Sequence, residues 1–129
     1  MTDFANRLSS LPMFRSAISG ASQEAILDAE TRLGVTFSDD YAEYVSAFGF
    51  ASANGHELTG VCGFPRLDVV AVTEDERGRG HGEKVSWYVI ERLGIDGMLA
   101  WQDGNGNVFI TAVGSSPEFA ASSLLEFIS

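Results

Sequence analysis

Leu33 to Gly60 reads LGVTFSDDYAEYVSAFGFASANGHELTG, and the fold turns on this stretch. Ser38 is a good helix N-cap, and Asp39 and Asp40 follow it in the first turn, where carboxylates suit the helix dipole. Tyr41, Tyr44, Val45 and Phe48 then fall at i, i+3, i+4 and i+7, one apolar face of a short amphipathic helix that Gly49 ends. Asp39, Asp40 and Glu43 belong toward the helix start on its wetter side. Immediately upstream, Ser22 caps a second helix with Gln23 and Glu24 in its first turn. Its buried stripe is Ile26, Ala29 and Leu33, and Gly34 supplies a left-handed stop. Two short helices joined through Val35 and Phe37 predict an αα-hairpin.

Working outward, residues 2–11 predict a first helix with Phe4, Leu8 and Leu11 on one face and Pro12 beyond its end. A Gly/Ser/Ala stretch near Ser19–Ser22 loosens the chain. From Gly55 the texture changes to strands. Leu58 to Phe64 is interrupted by glycine, which predicts an irregular strand or a bulge. Residues 68–77, DVVAVTEDER, read two ways: Asp68 caps a short helix carrying Val69, Val72 and Asp75, or the β-branched content makes a strand, the reading that content favours. GRGHG at 78–82 is a flexible loop. Trp87–Leu93, Gly97–Gln102 and Val108–Val113 read as strands, the last two joined by DGNG at 103–106, a hairpin signal. Ser116 then caps a last helix, with Pro117 and Glu118 in its first turn and Phe119, Ser123, Leu124, Phe127 and Ile128 inward. The order predicts an α+β fold: N-terminal helices, a central twisted antiparallel or mixed sheet of about four to six strands, and a C-terminal helix packed on it.

A chain of 129 residues makes a single domain, 1–129. An apolar fraction of 45% with nine Phe supplies a core. The single Cys62 excludes an intramolecular disulfide and fits a reducing compartment. MTDFANRLSS has no basic segment leading into an apolar one, and no apolar run approaches the roughly 20 residues of a membrane span, so a soluble cytoplasmic protein is expected. Eighteen acidic against eight basic residues leave a net charge of −10. Such a field repels nucleic acid and anionic lipid and speeds encounter with cationic partners. The cations are also unevenly placed, with none between Arg32 and Arg66 and none after Arg92.

Candidate chemistry is thin. Cys62 and His56 are the only thiol–imidazole pair, which a hydrolase would need as nucleophile and base. Cys62 lies between Val61 and Gly63, however, where Cys behaves as a small hydrophobe. His56 and His81 with Glu57 or Glu83 lack the spacing of a metal site. DGNGN at 103–107 begins like a calcium loop, but the template's sixth and twelfth positions, Gly and Glu, are held by Val108 and Gly114. GRGHG lacks the spacing of a phosphate cradle. Asp96 and Asp103 sit where turns place Asp for local hydrogen bonds, not as a pair flanking a scissile bond. No cofactor is expected. Glu74, Asp75 and Glu76 form a charged run followed by Arg77 and Arg79, either a solvated face or part of an acidic contact patch.

AETRLGVTFSDDYAEYVSAFG, HELTG, VVAVTEDER and WYVIERLGIDGMLAWQDGNGNVF occur here in an order that resembles the SMI1/KNR4-like, or SUKH, family. The corresponding positions are Ala29-Glu30, Leu33-Gly34, Asp40-Tyr41, Gly49, Thr73, Asp96-Gly97, and Asp103 with Gly106, covering roughly residues 22–112. Ser38 stands where the family commonly has Pro, a change that keeps a helix start. The resemblance implies a twisted sheet packed on helices and no enzymatic activity. It implies an immunity protein that binds and neutralises a cognate toxin, often a nuclease, or alternatively an intracellular scaffold or adaptor of the SMI1/KNR4 type. The acidic balance points to a basic protein partner, neither nucleic acid nor membrane. Asp39, Asp40, Glu43 and Glu57, then Glu74, Asp75 and Glu76, are the expected contacts.

Overall fold

The computed structural model describes residues 2–17, 19–81, 84–95 and 97–129. Asp96, Glu83 and Gly82, which enter three of the motifs above, lie outside the described residues. The described chain runs α1 (Asp3–Ser9), β1 (Arg15–Ser16), α2 (Gln23–Leu33), α3 (Asp39–Phe48), β2 (Ala51–Ala53), β3 (His56–Glu57), α4 (Val69–Gly78), β4 (Tyr88–Arg92), β5 (Leu99–Gln102), β6 (Val108–Thr111), β7 (Glu118–Ala121) and α5 (Leu124–Ile128). It is an α+β fold with two antiparallel sheets, a small one of order β1-β2-β3 and a larger one of order β4-β5-β6-β7.

The helical hairpin forms as its caps predict. Ser22 accepts from the Ala25 N–H and Ser38 from the Tyr41 N–H. Gly34 ends α2 at φ +69°, a conformation that costs glycine nothing. The expected stripes Ile26/Ala29/Leu33 and Tyr41/Tyr44/Val45/Phe48 are buried. They pack with Ala5 and Leu8 of α1 against one face of the larger sheet, where Tyr88, Ile90, Ala100, Val108 and Ala121 point inward. The opposite face carries a second apolar cluster, Val89, Leu99 and Trp101, closed by Val72 of α4 and by Trp87. β4 is thus buried on both sides, as its YVIER run of large residues requires.

Three expectations are corrected. Residues 69–78 are helical, not extended: Asp68 caps α4 by accepting from the Ala71 N–H, and burial of Val69, Val70, Val72 and Thr73 against α2 and β4 outweighs the β-preference of the branched side chains. Leu58–Phe64 is a loop with a single bridge, Gly60 to Asp68. At Gly60 the backbones crowd so closely that a Cβ would stand 2.0 Å from the Gly49 carbonyl oxygen. Residues 118–121, expected in the last helix, form β7 because β6 has an edge to fill. The helix therefore starts late, with Ser123 as its cap, and only Leu124–Ile128 are helical. The two-residue strands β1 and β3 are too short to leave a periodic signal in sequence.

Candidate partner-binding surface

The large polar side chains of the interior are ties between elements. Thr59 Oγ1 donates to the Val89 carbonyl at 2.8 Å and lies 2.9 Å from the Tyr41 hydroxyl, while the Tyr44 hydroxyl donates to the Thr59 carbonyl at 2.7 Å. Burial holds the Tyr41, Tyr44 and Tyr88 phenols well above their ordinary range, so they are neutral donors at any physiological pH. Tyr88 accepts from the Ser38 N–H at 2.9 Å and donates to Gln102 Oε1 at 2.9 Å. Gln102 Nε2 in turn donates to Asp40 Oδ1 at 3.1 Å. This chain of bonds locks α3 to β4 and β5.

Asp40 extends that lock. Its second oxygen accepts from the Leu124 N–H at 2.7 Å, so a residue of α3 satisfies one of the orphan donors at the start of α5. Asp40 thus holds the fold together. Its neighbours behave otherwise. Asp39 is exposed at the helix start, and half-buried Glu43 takes a hydrogen bond from Thr2, the cap of α1. Among the described residues, no Lys, Arg or His lies within ion-pair distance of Asp39, Asp40 or Glu43. The 103–107 loop joins them: a Cβ at Gly106 would come 3.4 Å from the Ser122 carbonyl and 4.0 Å from Ser38 Cβ. Asp103, whose Oδ1 accepts from the Asn105 and Asn107 N–H groups, and Glu126, hydrogen-bonded to Ser122, therefore belong to the same end of the molecule.

The second expected group is neutralised. Arg92 spans Glu76 at 2.8 Å and Asp75 at 2.7 Å; Asp75 also meets Arg79 at 3.3 Å, and Glu74 lies 3.8 Å from Arg32. Glu76 is 4% exposed, with His81 Nδ1 2.8 Å from its other oxygen. Burial alone would raise its pKa, but the bonds from Arg92 and His81 outweigh that and hold it below the ordinary carboxylate range. Glu57 sits on β3 with Arg66 at 2.7 Å, which likewise lowers its pKa. Glu57, Arg66 and Arg92 line one small cavity, so Glu57 sits with the α4 group. Sequence reasoning missed Arg66 and Arg92 as the partners, because pairings across 9 and 16 residues leave no local trace.

The remaining candidates separate. His56 Nδ1 lies 2.7 Å from Glu91 Oε1, and its ring packs on Phe127 with centroids 5.0 Å apart. Cys62 is half-buried beside Phe64 and Asp68, and burial pushes its thiol up, away from the reactive thiolate. Each thus has its own set of neighbours, and neither is engaged with the other. Among the described residues, His, Cys, Asp and Glu side chains nowhere gather three together in a way that could hold a metal ion. A cleft of about 540 Å³ between the end of α4 and the β6–β7 connection is lined by Arg79, His81, Thr111 and Ser115 among others, with no carboxylate or thiol among the described residues of its wall.

The class is thus an α+β fold whose buried polar groups serve the fold and whose charge outside ion pairs is, among the described residues, mostly acidic. A sequence model of the SMI1-KNR4 cell-wall family, SUKH_5, matches residues 1–129. The chain belongs to that family, and the match takes in the first twenty residues and the C-terminal strand and helix as well as the stretch whose motifs resemble it. No curated protein matches the chain in sequence. No helix among the described residues is long and apolar enough to cross a membrane.

Proposed function

We propose that this chain is a non-enzymatic protein-binding module, an immunity protein that neutralises a cognate basic toxin by stoichiometric docking. The observation that carries the reading is the carboxylate group around the start of α3, Asp39 and Glu43 foremost, which meets no cation among the described residues, set against a neutralised α4. A nuclease toxin presents a basic substrate groove, and an acidic surface seated there excludes nucleic acid. Complementary charge speeds such an encounter, while a few apolar anchors supply most of the affinity. Family membership supports the binding-module class, and the charge distribution supports a basic partner.

The test takes as partner a toxin-like protein, if one is encoded by a neighbouring reading frame. Asp39→Lys with Glu43→Lys should slow association about tenfold at low salt and flatten its salt dependence. Asp40 is left intact because its reversal would test folding. An unchanged association rate and salt slope removes this surface from the mechanism. Failure of the protein to protect a cell from that product removes the immunity reading.

A further inference from the structure

β7 ends the larger sheet, and its outer edge is open. Glu118–Ala121 pairs only with β6, and among the described residues no other backbone group bonds to it. Alternate residues of such a strand turn N–H and C=O groups to solvent, a template for another chain. Natural edges are commonly blunted with Lys or Pro, and neither occurs within Glu118–Ala121. The strand is short and opens with Glu118 directly after Pro117, and a bulge blunts it further: Val108 pairs Ala121 and Phe109 pairs Phe119, leaving Ala120 unmatched. The bulge divides the edge into short stretches, so backbone pairing alone is weak there and other contacts must add to it.

Two such contacts exist. The register aligns Val89, Trp101, Phe109 and Phe119 in one row across all four strands. Trp87 stacks on Phe109 at 4.4 Å, Phe109 meets Phe119 edge-on at 6.0 Å, and the row ends in the open with Phe119 61% exposed. An added strand would continue that row with an apolar side chain. The second contact is charge. Glu118 opens the strand, Glu126 accepts a hydrogen bond from Ser122 just beyond its end, the chain then reaches the Asp40-bound start of α5, and no Lys or Arg follows Arg92 in sequence.

We propose that the outer edge of β7 is an interaction surface that takes an extended, Lys- or Arg-bearing segment of a partner protein as a fifth strand. A second copy of this chain is disfavoured as occupant, since β6, β7 and α5 carry no Lys or Arg of their own to meet Glu118 of the other copy. The basic character of the partner accords with the proposed function, whereas the open edge and the aromatic row do not depend on it.

The test needs no cognate partner. The probe is an end-blocked peptide of about eight alternating Lys and Val residues, added to the ¹⁵N-labelled full chain. The expected result is amide-exchange protection within residues 118–121 of about tenfold or more, with Phe119→Lys weakening binding about tenfold. Phe119 is exposed, so that variant folds. The same peptide N-methylated at alternate amides keeps its charge but cannot pair, and should not protect the edge. Equal protection by the N-methylated peptide, or by a Glu–Val peptide, overturns the proposal. So does a dimer in sedimentation that Phe119→Lys abolishes, since the edge then belongs to a second copy. If the Lys–Val peptide protects β7 but the toxin is not bound, the edge stands and the immunity reading falls. If the toxin binds Phe119→Lys unchanged and leaves 118–121 unprotected, the edge falls and neutralisation stands.

Discussion

Along α4, Glu74, Asp75 and Glu76 each meet a cation, whereas Asp39, Asp40 and Glu43 at the start of α3 meet none among the described residues. In sequence the two groups look alike, each a short acidic run on an amphipathic helix. The difference comes from distant residues: Arg92 reaches α4 from the edge of the sheet and Arg32 from α2, while the α3 start faces a loop and a helix without cations. A count of carboxylates therefore measures composition, and only their pairing tells how much field remains for a partner. α4's acidity is consumed in holding α4 to β4. The acidity at the α3 start is taken up only in part, through Asp40.

The largest expected effect attacks the paired side. Arg92→Ala strips Glu76 of its main counter-charge and leaves a nearly buried carboxylate facing only His81. Removing one member of a buried pair costs about 3 kcal/mol, and Arg92's partial exposure places this case near the lower end of that range. Urea unfolding should show the midpoint falling with little change in slope. A loss under about 1 kcal/mol would return α4 to the list of partner surfaces.

Next comes Asp40, the acidic residue at the α3 start that the fold uses. Asp40→Ala removes the acceptor for the Leu124 N–H and for Gln102 Nε2, and should cost about 1–2 kcal/mol. Asp40→Asn, keeping one carbonyl acceptor, should recover part of it. Amide exchange in α5 should accelerate more than exchange in α2, because only α5 loses a cap. Equal acceleration in both helices would mean that Asp40 supports the core generally and does not specifically fasten α5.

pH separates the two regions further. Glu76 has a folded pKa below its unfolded value, so its contribution is fully present above the unfolded value and is lost as pH falls through the folded one. Stability measured between about pH 6 and pH 3 should fall, and Glu76→Gln should flatten that fall while lowering stability at pH 7. An identical acid slope in both proteins would detach Glu76 from the ion pairs seen here.

How much of this was legible in sequence follows from the range of each interaction. The caps Ser22 and Ser38, the stop at Gly34 and the buried stripes are set within a few residues, so local pattern reads them. α4 sits at the limit: Asp68 signals a helix and the valines a strand, and only the packing of Val69, Val70 and Val72 decides. β7 lies beyond it, since nothing in EFAA says that β6 has an empty edge. Of the expected contact residues, Asp39 and Glu43 meet no cation among the described residues, Asp40 is taken up by Gln102 and Leu124, and Glu57 is paired with Arg66 across a loop. Charge type was readable from the chain; charge pairing required the fold.

The smallest expected effect is the sharpest check on the comparison. Asp39→Asn with Glu43→Gln removes two charges from the α3 start while keeping similar shapes, and the introduced amide oxygen can still accept from Thr2. Two terms oppose each other. Asp39, in the first turn, favours the helix dipole by about 0.3–1 kcal/mol, and that is lost. Relief of repulsion among carboxylates with no cation nearby returns a similar amount. The midpoint of urea unfolding should therefore move by less than about 0.5 kcal/mol. Association with a basic partner should slow with the same substitutions, because the long-range field has only the charge to act on. A stability loss above about 1 kcal/mol would show Asp39 and Glu43 to be fold-bearing in the manner of α4, and the two acidic regions would then be of one kind.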